Sequence, residues 1–408
     1  MKLRVLIFSD SYLPKIDGIG ISTDRFTRLL AKEGHEFVVV CPRYSKDDFE
    51  KVGKRIQIIR LPNRSLPSYP DVRLVLPKYR KLKKMIKEFK PHLIHFQTPG
   101  ILGTVAGFLA RKYKIPLVGT YHTMMNELGE YISPYRLLKL DRLVQKILQG
   151  TKLSKLSDHK VAHKKQKSLT NKLIYKITNS VYEQGKLIIS PSILIKQELE
   201  KQKVKVPVVV VSNGMDLKKF SGKPRKLSKK PKLLHVGRIG FEKNADVLVR
   251  SFVEVKKKIP EATFSIVGDG PALASVKELA IALKIDSSID FPGFIRPEQL
   301  PEVYENHDFF WTASAMETQG LVALEASACG LPSVGVDAYA LPELIIHGNN
   351  GFIAPPFDHL KIADYAVSIL TDAKLYKKFS ANAIQVAARH DVKKSAKKLL
   401  KVYEKVIK

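Results

Sequence analysis

The sequence predicts an α/β fold made of two doubly wound domains, each built on a parallel β-sheet. Short apolar runs alternate with segments of helical periodicity through both halves of the chain, which is typical of buried parallel strands covered by helices. The chain has 408 residues, more than one usual domain, and 44% of them are hydrophobic, enough for two cores. We therefore expect two domains.

The first domain is predicted to cover residues 1–206. Its strands are short apolar runs bounded by polar or turn residues, at positions 3–8, 36–41, 56–60, 93–96, 117–120 and 186–191. A helix is expected after the first strand, because Phe26, Leu29 and Leu30 recur at helical intervals.

The second domain is predicted to cover residues 207–385, with the linker near 207–213. It begins with an apolar run at 208–211, and a second alternating series of strands and helices continues to about residue 372. Within it, residues 264–267, 309–311 and 333–336 are predicted strands. The last predicted helix covers roughly residues 375–408.

The charge predicts an anionic partner. The chain has seventy Lys and Arg and thirty-nine Asp and Glu, which gives a net charge of +31. This charge favours binding to nucleic acid, nucleotide phosphates or an acidic lipid surface. The excess gathers in the first half: residues 133–205 hold seventeen basic and five acidic residues, whereas residues 321–358 hold no lysine or arginine. A lysine-rich composition of the source organism is the alternative explanation.

Cysteine content and hydropathy predict a cytoplasmic protein. Only Cys41 and Cys329 are present, both in apolar settings, which favours a reducing compartment. The apolar run at residues 1–8 is too short for a signal sequence and is predicted to be a buried strand. No segment reaches the roughly 18 apolar residues of a membrane span.

Two glutamates, Glu317 and Glu325, are the most informative pair in the sequence. A spacing of eight residues suits one helix face poorly, and Gly320 interrupts it. Because helical periodicity begins only after that glycine, Glu317 is predicted to lie in a loop and Glu325 one turn inside a helix. The simpler interpretation is that these are two ordinary acids near a helix start.

A strand, a glycine turn and a helix N-terminus form a typical anion site, because free backbone N–H groups and the helix dipole favour phosphate. Nearby carboxylates can accept hydrogen bonds from hydroxyls, so the pair predicts a nucleotide-sugar site. Gly237-Arg238 and Lys243 follow one apolar run, and Gly268-Asp269-Gly270-Pro271 follows another. Loops at the carboxyl ends of parallel strands meet, so these residues are expected to converge.

Taken together, these motifs resemble those of the retaining glycosyltransferases of family GT4, which have the GT-B fold of two Rossmann-like domains that face an interdomain cleft. Further motifs extend the similarity over the whole chain: Phe8-Ser9-Asp10-Ser11-Tyr12-Leu13-Pro14, Tyr121-His122-Thr123, Ser212-Asn213-Gly214-Met215-Asp216 and Cys329-Gly330-Leu331-Pro332. The resemblance also implies a C-terminal helix, residues 386–408, that packs back on the first domain.

The resemblance implies a role for each candidate catalytic residue. His122 would lie between the sugar and the acceptor, although a histidine at a strand end is more often structural. Arg238 and Lys243 would stabilise the diphosphate as it leaves, Glu317 would hold sugar hydroxyls and Glu325 the ribose. The other expected donor contacts are Gly18, Gly20, Gly237, Gly268, Gly270, Thr318, Gln319, Gly320 and Leu321. Retention would proceed by departure and attack on one face, without a double displacement through Glu317.

The loop that contains Gly18 and Gly20 departs from its relatives, which usually have adjacent glycines. Thr23 occupies the position of the third glycine in the dinucleotide fingerprint, so an NAD fold is disfavoured. No Asp-x-Asp motif is present, and neither a metal nor another cofactor is expected beyond the nucleotide-sugar co-substrate. His159 and His163 have zinc-like spacing, but their lysine-rich surroundings favour a polar helix face.

Residues 73–90 predict a basic amphipathic helix with Pro77 in its first turn. Such a helix can lie on an anionic membrane, where each cation contributes about 1 kcal/mol. A surface helix with its apolar side on the sheet is the alternative, compatible with docking because lysine side chains snorkel. Residues 133–176 are a candidate acceptor lip, that is, a segment at the edge of the site that binds the acceptor. The predicted membrane-binding residues are Arg73, Lys78, Arg80, Lys81, Lys83, Lys84 and Lys87.

The sequence thus resembles membrane-associated GT4 enzymes that glucosylate diacylglycerol, whose version of the glutamate motif is similar to Glu317-Thr318-Gln319-Gly320-Leu321. This implies transfer of a hexose, glucose from UDP-glucose, to a lipid hydroxyl at the inner face of the cell membrane, with an α-linkage. The alternatives are a GDP-mannose enzyme acting on a phosphoinositide-type lipid, a soluble sugar acceptor, and a nonhydrolysing sugar-nucleotide epimerase. A nucleic-acid-binding protein is disfavoured, because no zinc-finger, RRM or KH motif is visible.

Overall fold

The computed structural model describes residues 1–44, 49–66, 69–122 and 169–408. The chain divides into two compact units. Unit 1 comprises Met1–Pro191, Lys196–Val211 and Ala396–Lys408, and unit 2 comprises Ser192–Ile195 and Ser212–Ser395.

Within the described residues, unit 1 is built on an eight-stranded sheet. Its strands are β1 (Arg4–Phe8), β2 (Glu36–Pro42), β3 (Phe49–Val52), β4 (Ile56–Leu61), β7 (Leu93–Phe96), β8 (Leu117–Thr120), β9 (Leu187–Ser190) and β10 (Val208–Val210). They are ordered β10-β9-β8-β7-β1-β2-β4-β3, and every pair is parallel except β3 with β4. A separate antiparallel hairpin joins β5 (Asn63–Leu66) to β6 (Tyr69–Val75).

Helices cover the sheet of unit 1. The described ones are α1 (Gly18–Lys32), α2 (Tyr79–Phe89), α3 (Ile101–Tyr113), α4 (Leu169–Tyr182) and α5 (Ile193–Lys201). The central strands are apolar almost throughout, as expected for a parallel sheet covered on both faces.

Unit 2 has a six-stranded, wholly parallel sheet in its described residues. Its strands are β11 (Lys232–Val236), β12 (Thr263–Val267), β13 (Ile289–Gly293), β14 (Phe309–Trp311), β15 (Ser333–Val336) and β16 (Gly351–Ala354), in the order β13-β12-β11-β14-β15-β16. The helices are α6 (Ala245–Lys258), α7 (Leu273–Ala282), α8 (Leu300–Glu305), α9 (Leu321–Ala328), α10 (Leu341–Leu344), α11 (His359–Thr371), α12 (Ala373–Ala388) and α13 (Val392–Ile407), with short 3₁₀ turns at Phe241–Lys243 and Asp286–Ser288.

Aromatic side chains fill the centre of unit 2. Trp311 is fully buried, and its ring meets that of Phe264 edge-on at 4.9 Å between centroids. Such contacts stabilise the strands from which the loops of the site project. The predicted fold class, α/β with two doubly wound Rossmann-like domains, is confirmed.

The C-terminal region differs from the single helix predicted for residues 375–408. It forms two helices, α12 and α13, because Asp391 interrupts the pattern and accepts hydrogen bonds from Lys393 N at 2.8 Å and Lys394 N at 3.0 Å. A side-chain cap of this kind starts a new helix.

From Ala396 onward α13 belongs to unit 1, where Tyr403 is buried and its hydroxyl lies 2.7 Å from His95 Nδ1. The chain passes between the units after Pro191, Ile195, Val211 and Ser395; the sequence placed the boundaries at 206/207 and 385/386. Met215 keeps the preceding segment in unit 2, because it donates to His390 O and accepts from Val392 N.

The basic helix is shorter than predicted. Residues 69–75 form β6, and α2 begins only at Tyr79, so Pro77 precedes the helix. The reason is pairing in the hairpin, where Val75 lies opposite Asn63 and Leu76 N donates to Pro62 O. The apolar side of α2 packs inward as the alternative interpretation required, because Leu82, Met85 and Ile86 are buried.

Candidate functional site

The loops after β11 and β12 converge in unit 2. Ile239 N donates to Asp269 O at 2.9 Å, and Gly237 N donates to Val267 O at 3.0 Å. Gly268 has φ +138°, and a Cβ at this position would lie 1.8 Å from Gly237 O. Only glycine permits this approach of two backbones, so the predicted meeting of the two glycine loops is confirmed.

A second contact joins the loop after β11 to the loop after β14. Lys243 Nζ lies 2.7 Å from Glu317 Oε1, and the two side chains are only 19% and 16% exposed. Asn244 Nδ2 supports the junction by donating to Ala313 O at 3.0 Å. The structure therefore brings two of the predicted catalytic residues into direct contact.

Arg238 also has a carboxylate partner, which sequence reasoning missed. Its Nη2 lies 2.7 Å from Oε1 of Glu242, whose side chain is only 4% exposed. The available signal was the four-residue spacing of an arginine and a glutamate. Both predicted cations of the site are thus oriented by carboxylates.

The glycine at the start of α9 is placed as predicted. Gly320 has φ 77° and ψ 55°, a left-handed conformation in which a β-carbon is strained, and α9 begins at the next residue. Ala323 N and Leu324 N donate to Gly320 O. Since the first N–H groups of a helix have no partner within it, this turn presents donors and the positive end of the dipole.

The side chain of Gln319 makes hydrogen bonds within unit 2. Its side chain is buried, with Nε2 2.5 Å from Ser212 Oγ and Oε1 accepting from Asn213 N at 2.9 Å. These hydrogen bonds hold the amide of Gln319 against Ser212 and Asn213, where the chain enters unit 2. The side chain therefore supports the loop next to Thr318, and the contact of Gln319 with a donor stays a prediction.

Glu325 lies on α9, one turn inside the helix as predicted. Its Oε2 accepts a hydrogen bond of 3.0 Å from the hydroxyl of Tyr304, which also lies 3.3 Å from Val322 O. Burial, reinforced by the negative charge of Glu325, raises the pKa of Tyr304 well above its usual range, so the phenol stays a donor. No sequence pattern linked Tyr304 to this glutamate.

His235 lies within electrostatic reach of Lys243 and Glu317. It is buried in β11, with Nδ1 3.2 Å from Trp311 O. Burial lowers the pKa of His235 to about 4; the charge of Lys243 acts in the same direction, whereas Trp311 O and Glu317 oppose it. The imidazole is therefore neutral near pH 7 and adds no charge to the site.

His122, the predicted catalytic residue of unit 1, follows β8 and is buried. Its Nε2 lies 2.8 Å from Oε1 of Gln97, which follows the neighbouring strand β7. Burial lowers the pKa of His122 to about 4, opposed by the charge of Asp17, so the ring is neutral near pH 7. Sequence reasoning missed Gln97, although its position after an adjacent strand was a usable signal. Thr123 lies outside the described residues.

Gly18 and Gly20 lie in the first turn of α1, not in an open loop as predicted. Asp17 caps this helix, and its Oδ1 accepts from Gly20 N at 2.8 Å. Ser11 Oγ donates to the other oxygen of the same carboxylate. A donor phosphate at this N–H would have to share it with Asp17, which weakens the predicted phosphate contact.

Two family comparisons cover most of the chain. Residues 16–219 match Glycosyltransferase Family 4, and residues 216–386 match Glycosyl transferases group 1. The chain belongs to glycosyltransferase family 4. It is therefore an enzyme that transfers a glycosyl group, as the resemblance of its motifs implied.

Several known proteins are similar to this glycosyltransferase. The alpha-monoglucosyldiacylglycerol synthase of Streptococcus pneumoniae is 28% identical, over 85% of this chain and 71% of its own length. The enzyme of the same name from Acholeplasma laidlawii is 29% identical, over 86% and 84%. The solved structure of sucrose-phosphate synthase from Thermosynechococcus elongatus superposes with a TM-score of 0.75 at 18% identity, covering 99% of each chain, and shares the fold.

The predicted membrane-binding residues of the glycosyltransferase fall into two groups. Arg73 lies in β6 with its guanidinium 5.8 Å from the centre of the Tyr44 ring, and Lys81 is half-buried. Partial burial lowers the pKa of Lys81, and the neighbouring charges of Lys78 and Arg43 add to that shift. The remaining five cations are exposed on or just before α2: Lys78, Arg80, Lys83, Lys84 and Lys87.

Two sequence predictions fall on parts of the chain that the structure does not describe. Most of the candidate acceptor lip at 133–176 lies outside the described residues, as do His159 and His163. Among the helices that are described, none combines the length and the apolar character needed to cross a membrane.

Proposed function

We propose that this glycosyltransferase moves a hexose, glucose from UDP-glucose, to a lipid hydroxyl such as that of diacylglycerol, with retention of configuration. The likeness to two alpha-monoglucosyldiacylglycerol synthases over 85% and 86% of the chain supports the acceptor class. The contact of Lys243 with Glu317, beside the N-terminus of α9, is the observation that carries the donor chemistry.

In this proposal the diphosphate of the donor binds where the loops after β11, β12 and β14 meet. Arg238, Lys243 and the N-terminus of α9 stabilise the negative charge that the diphosphate gains as it leaves. Glu317, held by the ammonium of Lys243, accepts hydrogen bonds from sugar hydroxyls. Glu325 accepts hydrogen bonds from the ribose.

The transfer step needs no protein nucleophile. The bond between the anomeric carbon and the phosphate oxygen breaks, and the lipid hydroxyl forms the new bond on the same face of the sugar. Its proton passes to the departing phosphate. We infer that His122 takes part as a neutral hydrogen-bonding group, since its low pKa disfavours a role as a general acid near pH 7.

We further propose that activity requires no metal ion. Cationic side chains and a helix N-terminus can supply the positive charge that Mg²⁺ supplies elsewhere. Assaying the enzyme with excess EDTA tests this directly: retained turnover supports the proposal, and loss of turnover that Mg²⁺ or Mn²⁺ restores rejects it.

The membrane part of the proposal concerns the five exposed cations on or just before α2. With a net charge of +31 on the whole chain, they favour reversible docking to an anionic lipid surface, the cytoplasmic face of the cell membrane. The charge of Lys84 is partly offset by Glu88, because its Nζ lies 3.8 Å from Glu88 Oε1. Exposed ion pairs of this kind contribute little to stability. Docking would bring the enzyme to an acceptor that stays in the bilayer.

The deciding experiment presents UDP-glucose and GDP-mannose to the full chain. The acceptors are anionic vesicles with diacylglycerol, anionic vesicles with a phosphoinositide, and a soluble sugar. The expected result is a glucolipid formed from UDP-glucose and diacylglycerol, absent with Glu317→Gln. A mannolipid would replace the proposed donor and acceptor, and turnover only with the soluble sugar, unaffected by vesicles, would reject the lipid acceptor. Conversion of a nucleotide-sugar without any acceptor would indicate an epimerase.

A further inference from the structure

A buried tyrosine contacts a predicted nucleotide-binding residue from behind. Tyr304 of α8 is fully buried, and its hydroxyl donates to Glu325 Oε2 at 3.0 Å while lying 3.3 Å from Val322 O. We propose that Tyr304 is a positioning residue, which fixes the Glu325 carboxylate so that it accepts hydrogen bonds from the ribose of the donor. This inference rests on the proposed function, because it takes Glu325 as the ribose contact.

The chemistry of the two groups fits this role. A phenol donates one hydrogen bond, whereas a carboxylate has about four acceptor positions, so Glu325 can bind the tyrosine and still accept from hydroxyls. A hydrogen bond to a charged group is stronger than one between neutral groups, and it holds the acidic side chain in one rotamer. The contact joins α8 to α9, so the position of Glu325 depends on tertiary structure and not on its own helix alone.

The tyrosine itself is held from two sides. Arg225 donates to Tyr304 O at 3.0 Å and to Cys329 O at 2.8 Å, which ties the end of α8 to the end of α9. The ring of Phe220 meets that of Tyr304 edge-on, with centroids 5.9 Å apart. A side chain fixed in this way orders Glu325 before the nucleotide arrives, and less conformational freedom is then lost on binding.

The test compares nucleotides with and without each ribose hydroxyl. The full chain is titrated calorimetrically with UDP and GDP, and with the 2′-deoxy and 3′-deoxy forms of each. The variants are Tyr304→Phe and Glu325→Gln. Tyr376→Phe is the matched control, because Tyr376 is equally buried in unit 2 and its hydroxyl donates to Asp308 O at 2.7 Å. Urea unfolding of each variant checks that it is folded.

We expect Tyr304→Phe to weaken binding of the ribonucleotide about tenfold, the effect of one buried hydrogen bond. The loss should largely disappear with the nucleotide that lacks the hydroxyl bound by Glu325. Glu325→Gln should show the same dependence on that hydroxyl, and Tyr376→Phe should bind all forms as the native protein does.

Two results would overturn the inference, and they are distinguishable. If Glu325→Gln discriminates ribose from deoxyribose but Tyr304→Phe weakens both forms equally, Tyr304 is structural and only this inference fails. If Glu325→Gln and the native protein show the same preference for the ribonucleotide over its deoxy forms, the proposed donor role of Glu325 fails. It also fails if neither UDP nor GDP binds. In both cases the inference about Tyr304 fails with it.

Discussion

Lys243 and Glu317 are 74 residues apart in the sequence, and their side chains meet at 2.7 Å across the ends of two neighbouring parallel strands. Because both are largely buried, neither adopts its position independently of the other. The pair orders a cation for the leaving diphosphate and a carboxylate for sugar hydroxyls before any ligand binds, which is the preorganisation that electrostatic catalysis requires.

Removing either partner should therefore impair turnover through the other. We expect Glu317→Gln and Lys243→Ala each to lower kcat by about 10²–10³-fold, as removal of a preorganised electrostatic contact does. The double variant should be less impaired than the product of the two losses, because the residues act as a unit. Initial rates at saturating UDP-glucose measure this. Lys257→Ala, which removes the exposed partner of Glu254, is the control and should leave kcat unchanged. Losses that simply multiply would mean that the pair is not coupled.

Gly268→Ala should distort the loops of the site. The added Cβ would lie 1.8 Å from Gly237 O, closer than any real contact, so the loops after β11 and β12 must separate. We expect binding of UDP, measured by calorimetry, to weaken more than tenfold, together with a lower unfolding temperature. Gly348→Ala is the control for a positive φ alone, because Gly348 has φ +73° and its added Cβ would meet nothing within 4 Å. That variant should show only the strain of about 1 kcal/mol and unchanged binding.

Gln97→Glu should restore basicity to His122. The native histidine has a pKa of about 4, below its usual 6.5, so it stays neutral in the folded protein while the unfolded chain takes up a proton. Its contribution to stability is therefore present above about pH 6.5 and is lost as the pH falls toward 4. A carboxylate at the 2.8 Å position of the Gln97 oxygen should raise the pKa by about one to three pH units.

Histidine NMR measures that titration without depending on activity. Gln97→Glu should also lose less stability on acidification than the native protein, and, if neutral His122 is required, kcat/KM should fall at a higher pH. Gln97→Ala, which lacks the charge, should not raise the pKa of His122. An unchanged titration in Gln97→Glu would show that the two side chains do not interact in solution.

The exposed lysines of α2 should control vesicle binding and not chemistry. Replacing Lys83, Lys84 and Lys87 together by Gln should weaken binding to anionic vesicles by about tenfold to a hundredfold, since each cation near the surface contributes. Lys374, Lys377 and Lys378 of α12 are exposed too, and their replacement by Gln removes the same charge from unit 2. Vesicle sedimentation at two salt concentrations compares the variants. Equal losses in both would attribute binding to net charge rather than to α2.

Arg225 should be a major determinant of the stability of unit 2. Besides Tyr304 O and Cys329 O, its guanidinium donates to Glu305 O at 3.0 Å and His307 O at 2.5 Å. We expect Arg225→Ala to lower the free energy of unfolding by about 2–4 kcal/mol, because four backbone carbonyls lose their donor. Arg225→Lys should not restore it, since an ammonium lacks the planar fork. Urea unfolding measures the change, with Arg250→Ala, an exposed position on α6, as the control.

The sequence alone determined the features that depend on neighbouring residues. Short apolar runs predicted most strands of both sheets, although β3, β13 and β16 were not predicted. The glycine before Leu321 predicted the junction between the loop of Glu317 and the helix of Glu325. These predictions succeeded because burial in a parallel sheet and a left-handed helix cap each leave a local pattern. The membership of the glutamate and glycine motifs in one family followed from their order and separation.

Tertiary structure decided which side chains meet. The basic helix was predicted to begin at residue 73, yet residues 69–75 form a strand because the chain at 63–66 pairs with them. Gln319 is one of the predicted donor contacts, and its side chain binds Ser212, more than a hundred residues earlier. Tyr304 reaches Glu325 only because α8 packs on α9. Such contacts depend on how elements distant in sequence pack in three dimensions, and the periodicity of a single segment contains no record of its partners.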